Sequence, residues 1–306
     1  MSTFELVISG FAALALFAYG LQSLSREIEE SGGGRLRALL SSVTQSPLRG
    51  YLLGMFVTAV FQSSSAVSSF VVALVDAGAI TLRSSFAVLL GANVGTTVTA
   101  WLVSFKLVGI GAVFVIVGMI VSMLPRRYAV IGRSIFFFGL ILFALDLVGY
   151  ALKPLRAHPA VQSLVAFADT PVLGVMVGIC LTAFIQSSSV VVGLGVIFAD
   201  EGMLGPAAVV PIVVGSNLGS TATALLASLS MKANARRAAL ANAIFNGLAV
   251  IVVLPFLGPL SKYIVSMIAD PGMAVAWSHL CFNVLVSVLG FALARPVERA
   301  VLRVGA

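Results

Sequence analysis

The sequence predicts an all-α integral membrane protein with two inverted-topology repeats and a C-terminal transmembrane helix. Each repeat is expected to hold a re-entrant helical hairpin and a discontinuous helix. Three observations carry that expectation. The first is composition: of 306 residues, 60% are hydrophobic and 9% charged, against about 25% charged in ordinary soluble domains. Mean hydropathy is +1.12, and apolar runs of about 20 residues recur, the length that spans a bilayer core. The second is a repeat: Gln62-Ser63-Ser64-Ser65 returns 124 positions later as Gln186-Ser187-Ser188-Ser189. The third is the uneven placement of Lys and Arg between the apolar runs.

The elements follow in order. A first helix is expected over residues 4–24; its apolar run lacks a basic leader and is read as retained. A polar loop over 25–45 carries Arg26, Arg35, Arg37 and the triplet Gly32-Gly33-Gly34. Pro47 opens an apolar block over 48–75, which holds the first Gln-Ser-Ser-Ser and ends at Asp76. A helix over 84–105 is interrupted by Gly91-Ala92-Asn93-Val94-Gly95-Thr96-Thr97, and a third crossing is placed over 107–124. The pattern then restarts with a helix over 134–152. Pro171 opens the second block, which ends at Asp200, and a helix over 206–229 carries Gly215-Ser216-Asn217-Leu218-Gly219-Ser220-Thr221. Apolar segments over 238–257 and 273–294 close the chain. Pro47/Pro171, Gly54/Gly178, Thr58/Thr182, Asn93/Asn217 and Thr99/Thr223 all keep the same offset. Two copies of so long a unit point to a duplicated transporter half rather than a solenoid. The boundaries are 1–127 for the first repeat, 128–258 for the second and 259–306 for the C-terminal helix and basic tail.

Charge sets the topology. If both Gln-Ser-Ser-Ser blocks return to the side they entered, each half crosses three times and the second half is inverted. The loops with Arg26, Arg35, Arg37, Arg49, Arg83, Arg126, Arg127, Arg133, Lys232, Arg236, Arg237, Arg295, Arg299 and Arg303 then share one side. Only Lys106, Lys153, Arg156 and Lys262 face the other. The basic side is cytoplasmic, so the C-terminus is too, in a multi-pass protein of the plasma membrane. The net charge of +7 is thereby a topology signal, and nucleic acid is excluded as a partner. Cys180 and Cys281 lie in apolar segments and read as packing residues.

Four consecutive polar side chains inside an apolar block need a purpose. Gln62, Ser63, Ser64 and Ser65, with Gln186, Ser187, Ser188 and Ser189, supply neutral donors and acceptors. At a hairpin tip they would sit at a helix start, where free N–H groups and the helix dipole favour an anion. The bland alternative is that the serines bond back to helix carbonyls and help helices pack. The glycine-asparagine segments invite unwinding. There the oxygens of Asn93, Thr96, Thr97, Asn217, Ser220 and Thr221, with those of Ser64, Ser65, Ser188 and Ser189, suit a small hard cation; close packing by small residues is the other reading. No buried carboxylate pair forms a proton relay, which favours Na+ over H+ as coupling ion. Asp76 and Asp200 fit either a cation site or helix ends. A serine nucleophile would need a base, and the chain offers only His158, in a loop, and His279, read as an internal hydrogen-bonding residue. An enzyme is therefore not expected.

Taken together these motifs resemble the sodium-dependent phosphate cotransporter family (type II Na+/Pi cotransporters). That family's hallmark is a duplicated Gln-Ser-Ser-Ser, each copy followed by a Gly-Ala-Asn-x-Gly-Thr-Thr-like segment. The first copy fits fully, and the second departs at Ser216 and Ser220, keeping hydroxyl chemistry. Arg236-Arg237-Ala238-Ala239 with Phe245-Asn246 is also similar to the family, which usually has His where this chain has Asn242. Ser278-His279-Leu280-Cys281-Phe282-Asn283 resembles the later copy of that pattern. The resemblance implies a bacterial homologue without a PhoU-like domain. It implies that the two Gln-Ser-Ser-Ser tips bind inorganic phosphate and help bind Na+, with no organic cofactor. The expected function is Na+-coupled phosphate symport by alternating access in contact with membrane lipid, and a homo-oligomer is compatible with it. A passive anion channel or exporter, or a transporter of another oxyanion using the same site, stays open as the alternative.

Overall fold

The computed structural model describes residues 3–42, 46–105, 109–152 and 170–303. Among these the secondary structure is helical throughout, and no strand occurs. Lys106, Lys153, Arg156 and His158, used above for topology or as a candidate base, lie outside the described residues.

The first half contains α1 (Thr3–Ser42), α2 (Pro47–Phe61), α3 (Ser64–Asp76), α4 (Leu82–Gly95), α5 (Thr97–Ser104) and α6 (Ile110–Ser122). The second contains α7 (Arg126–Leu152), α8 (Pro171–Ile185), α9 (Ser188–Asp200), α10 (Pro206–Ser228) and α11 (Ala233–Val253). A single 3-10 turn at Pro255 joins α11 to α12 (Leu257–Met267), and α13 (Pro271–Ala292) and α14 (Ala294–Arg303) complete the chain. Among the described residues, six segments are long and apolar enough to cross a membrane: Glu5–Ile28, Leu82–Ser104, Tyr128–Ala151, Pro206–Ser228, Ala233–Met267 and Pro271–Ala292.

Two expected boundaries move. The polar loop over 25–45 is helical as far as Ser42, giving α1 40 residues and a length of about 60 Å. The Arg, Leu, Ala and Glu residues around the glycine triplet are good helix formers, and their propensity outweighs the glycines. The third crossing expected over 107–124 is a 13-residue helix, about 20 Å long, against a hydrocarbon core of about 30 Å.

Both Gln-Ser-Ser-Ser blocks are hairpins. α2 runs parallel to α4, with Gly91 against Tyr51 and Gly95 against Met55 and Thr58; α8 runs parallel to α10, with Gly215 against Val175 and Gly219 against Ile179 and Thr182. The intervening α3 and α9 return the chain through short turns to the starts of α4 and α10. The feet of the two hairpins lie at opposite ends of α13. At its start the Gly272 amide donates to Asp200 Oδ1 at 2.8 Å. Just past its end Glu298 pairs with Arg83 at 3.3 Å, beside the foot of the first hairpin. The 22 residues of α13 cover about 33 Å. Inversion of the second half would produce this arrangement.

Lipid tails are as apolar as Leu, so burial alone does not drive helices together in a bilayer; close packing does. The glycine-asparagine segments supply it. A Cβ at Gly91 or Gly54 would collide with the carbonyls of Tyr51 or Val88, and one at Gly215 or Gly178 with those of Val175 or Ile212. The expected unwinding is correspondingly small. The first segment breaks only at Thr96, which keeps right-handed helical angles, φ −61° and ψ −25°. The second has no break: α10 is continuous over 23 residues. Side chains satisfy the carbonyls locally, Thr96 to Ala92 O at 3.0 Å, Thr97 to Val94 O at 2.8 Å, Asn217 to Val213 O at 3.0 Å and Ser220 to Asn217 O at 2.7 Å.

Apolar side chains form two clusters. One joins Val67 and Val71 of α3 to Leu89 and Leu90 of α4 and Phe245 of α11. The other joins Phe17 and Leu21 of α1 to Val192 and Val196 of α9 and Val148 of α7. Each hairpin's return helix is thus anchored in a different cluster. Cys180 and Cys281, expected among packed residues, are free thiols and exposed on α8 and α13, a position apolar enough for a lipid-facing surface.

Candidate functional site

Each hairpin turns on one left-handed residue. Gln62 has φ 55° and ψ 23°, and Gln186 has φ 58° and ψ 25°. They are the only non-glycine residues with positive φ among those described. Such a backbone costs on the order of 1–3 kcal/mol and persists where surrounding structure holds it. The next residue is extended and caps the returning helix: Ser63 Oγ accepts from the Ala66 amide at 3.2 Å, and Ser187 Oγ from the Val190 amide at 3.4 Å. Capping uses the serine oxygen as acceptor, which leaves its O–H able to donate to a ligand. The first-turn amides of Ser64, Ser65, Ser188 and Ser189 point out of the same helix starts.

The tips meet. Ser189 Oγ donates to the Gln62 carbonyl at 3.2 Å, and Thr99 Oγ1 lies 2.8 Å from Gln62 Oε1 and 3.3 Å from Ser189 Oγ. A cavity of about 300 Å³ is lined by Gln62, Ser63, Gln186 and Ser187, with Leu21, Gln22, Ser25 and Arg26 of α1 across from them. Its size is at the lower end for small-molecule pockets. Gln22, Arg26 and Gln186 are exposed, so the cavity opens beside the end of the α1 span.

The sequence reading places Arg26 in a polar loop and no arginine in the site. The continuation of α1 makes Arg26 a lining residue of the cavity that both tips also line. Its neighbour Glu27 is committed elsewhere, accepting from Arg133 Nε at 2.8 Å and Nη2 at 2.7 Å. The signal available in sequence was spacing: Gln22, Ser25 and Arg26 fall on one face at the end of an apolar run. Thr99 was visible only as a matched position of the repeat.

The remaining sequence candidates are buried away from the cavity wall. Asn93, Thr96, Thr97, Asn217, Ser220 and Thr221 lie within α4, α5 and α10 or at their junction, buried. The bonds of Thr96, Thr97, Asn217, Ser220 and Thr221 to helix carbonyls use hydroxyl and amide hydrogens and leave side-chain oxygens with acceptor capacity, whereas Asn93 Nδ2 has no partner among the described residues. Ser64 and Ser188 are buried in the first turns of α3 and α9. Asp76 and Asp200 serve helix ends: Asp76 Oδ1 accepts from the Lys232 amide at 2.6 Å, as Asp200 does from Gly272. His279 is fully buried, and the internal hydrogen bond expected of it is not formed among the described residues.

Comparison with known proteins agrees with these motifs. The family model described as Na+/Pi-cotransporter matches residues 16–150 and 142–263. The uncharacterized protein YqeW of Bacillus subtilis is 31% identical over 93% of this chain and 94% of its own. The YjbB protein of Escherichia coli, whose name assigns it provisionally to inorganic phosphate export, is 28% identical over 94% of this chain and 54% of its own. The chain therefore spans about half the length of YjbB. Human sodium-dependent phosphate transport protein 2B is 34% identical over 34% of this chain and 15% of its own. No solved structure matches. The matching family is one of transporters, not of enzymes.

Proposed function

The chain belongs to the Na+/Pi-cotransporter family, and from that premise we propose that it carries inorganic phosphate together with Na+ across the bacterial cytoplasmic membrane by alternating access. The observation that carries the proposal is the shared cavity, with a glutamine-serine tip from each repeat on one side and Arg26 on the other. Phosphate would accept from Gln62, Ser63, Ser64 and Ser65 and from Gln186, Ser187, Ser188 and Ser189, with their first-turn amides. Arg26 would supply the formal positive charge. Na+ would be cargo held by oxygens of Ser64, Ser65, Ser188 and Ser189 and of Asn93, Thr96, Thr97, Asn217, Ser220 and Thr221. Each ion offsets the other's loss of hydration. The repeats, 1–127 and 128–258, would be inverted halves, with the basic loops and the C-terminus cytoplasmic.

Purified protein in liposomes is expected to accumulate labelled phosphate saturably, and only under an inward Na+ gradient. Equal uptake without Na+ would remove the coupling. Export is the second reading, favoured by the name of YjbB; flux that follows the phosphate gradient alone would support it. A panel of arsenate, sulfate and phosphate reads the substrate.

The two glutamines are expected to differ on substitution. Gln186 is exposed in the cavity, so Gln186→Ala should weaken phosphate binding and leave stability unchanged. Gln62 is buried and its side chain is hydrogen-bonded to Thr99 and to the Ala59 carbonyl, so Gln62→Ala should also cost about 1–3 kcal/mol of stability. Thermal unfolding alongside uptake kinetics separates the two effects.

A further inference from the structure

We infer that Thr99 and Thr223 are positioning residues that take turns fixing the two tip glutamines, one holding its glutamine while the other's is released into the cavity. The inference rests on the reading of the cavity as the transport site.

The repeats agree in backbone and differ in side-chain bonding. Gln62 and Gln186 have matching left-handed angles, and both returning helices carry the same serine cap. In the first repeat Thr99 bonds to the Gln62 carboxamide at 2.8 Å, and Ser189 crosses from the second repeat to the Gln62 carbonyl at 3.2 Å. Gln62 is 6% exposed. The counterpart set is Gln186, Thr223 and Ser65. Gln186 is exposed and lines the open cavity. The Thr223 hydroxyl is buried and has no hydrogen-bond partner among the described residues.

A buried hydroxyl without a partner is costly, and its counterpart shows which bond would satisfy it. Moving the second tip until Gln186 Oε1 meets Thr223 would reproduce in the second repeat what Thr99 does in the first. Ser65 would then take the part of Ser189, reaching across to the Gln186 carbonyl. With its own hairpin moved to that second position, Ser189 would no longer reach the Gln62 carbonyl it now bonds. The two latched arrangements therefore exclude each other, and the present structure is one of them, with the second tip released.

The test reads conformation rather than transport. In a background with both native cysteines replaced by serine, a Gln22→Cys reporter on α1 faces the cavity. A membrane-impermeant maleimide is applied from the side to which α1 extends. Removing the Thr99 hydroxyl weakens the observed arrangement, so Thr99→Val should lower the labelling rate. One ordinary hydrogen bond corresponds to about a fivefold change in the equilibrium between conformers. Removing the Thr223 hydroxyl weakens only the other arrangement, so Thr223→Val should leave labelling unchanged or raise it. Thr99→Ser retains the hydroxyl and should restore the parent rate; this separates the bond from loss of packing or of fold. Labelling that falls equally in Thr99→Val and Thr223→Val overturns the inference, as does labelling unaffected by Thr99→Val, or a Thr99→Ser variant as impaired as the valine. A protein that follows the expected labelling pattern yet carries no phosphate would sink the proposed substrate and leave the latch standing.

Discussion

Arg26→Ala is expected to raise the KM for phosphate about tenfold or more in the liposome assay, with the protein still folded. A charge-assisted hydrogen bond to an anion contributes about 1.5–3 kcal/mol, and about 1.4 kcal/mol is a factor of ten in affinity. The lower end applies because Arg26 is exposed at the cavity mouth and partly screened. Stability should hold because the neighbouring tie between α1 and α7 belongs to Glu27 and Arg133. Arg26→Lys should fall between parent and alanine, since it keeps the charge and loses the planar fork. Raising ionic strength at a fixed Na+ gradient should weaken phosphate binding in the parent more than in Arg26→Ala. An unchanged KM in Arg26→Ala would return the anion site to the neutral tips alone.

Arg26 also shows where reading the sequence stopped. The hairpins were legible because a polar run inside an apolar block has few structural explanations, and two copies in register have fewer. Whether residues 25–45 continue a helix depends on small propensity differences summed over a polar stretch, which α1 resolves toward helix. That one boundary decides whether Arg26 floats in a loop or faces Gln62 and Gln186. The glycine-asparagine segments failed differently. Glycine beside asparagine has the same composition whether it unwinds a helix or lets two helices touch. In α10 the contact of Gly215 with Val175 selects the second use. The Thr99 bond to Gln62 was not readable, because it depends on the depth at which one hairpin tip stops along a neighbouring helix.

That depth makes Gly91→Ala the other substitution with a large expected effect. An alanine Cβ at Gly91 would meet the Tyr51 carbonyl, and both groups belong to helical backbone that cannot swing aside. α2 and α4 must separate, which also loosens Gly54 against Val88 and Gly95 against Met55. Overpacking of this kind costs about 1–3 kcal/mol and occasionally more, beside weak Cα–H···O contacts of about 0.5–1 kcal/mol each. Alanine's better helix propensity returns only about 1 kcal/mol. The thermal unfolding temperature in detergent should therefore drop, and Gly215→Ala should do the same through Val175. Gly258→Ala is the control: its nearest neighbour would be Pro171 Cγ at 3.6 Å, ordinary contact distance. The consequence for transport is separate from stability. α2 carries Gln62 at its end, so displacing α2 from α4 moves the tip away from Thr99 on α5. A Gly91→Ala protein that is kept folded by low temperature should still transport poorly, whereas Gly258→Ala should transport as the parent does. If Gly91→Ala matched Gly258→Ala in both stability and uptake, the segment would have to act by unwinding after all, in a conformation other than this one.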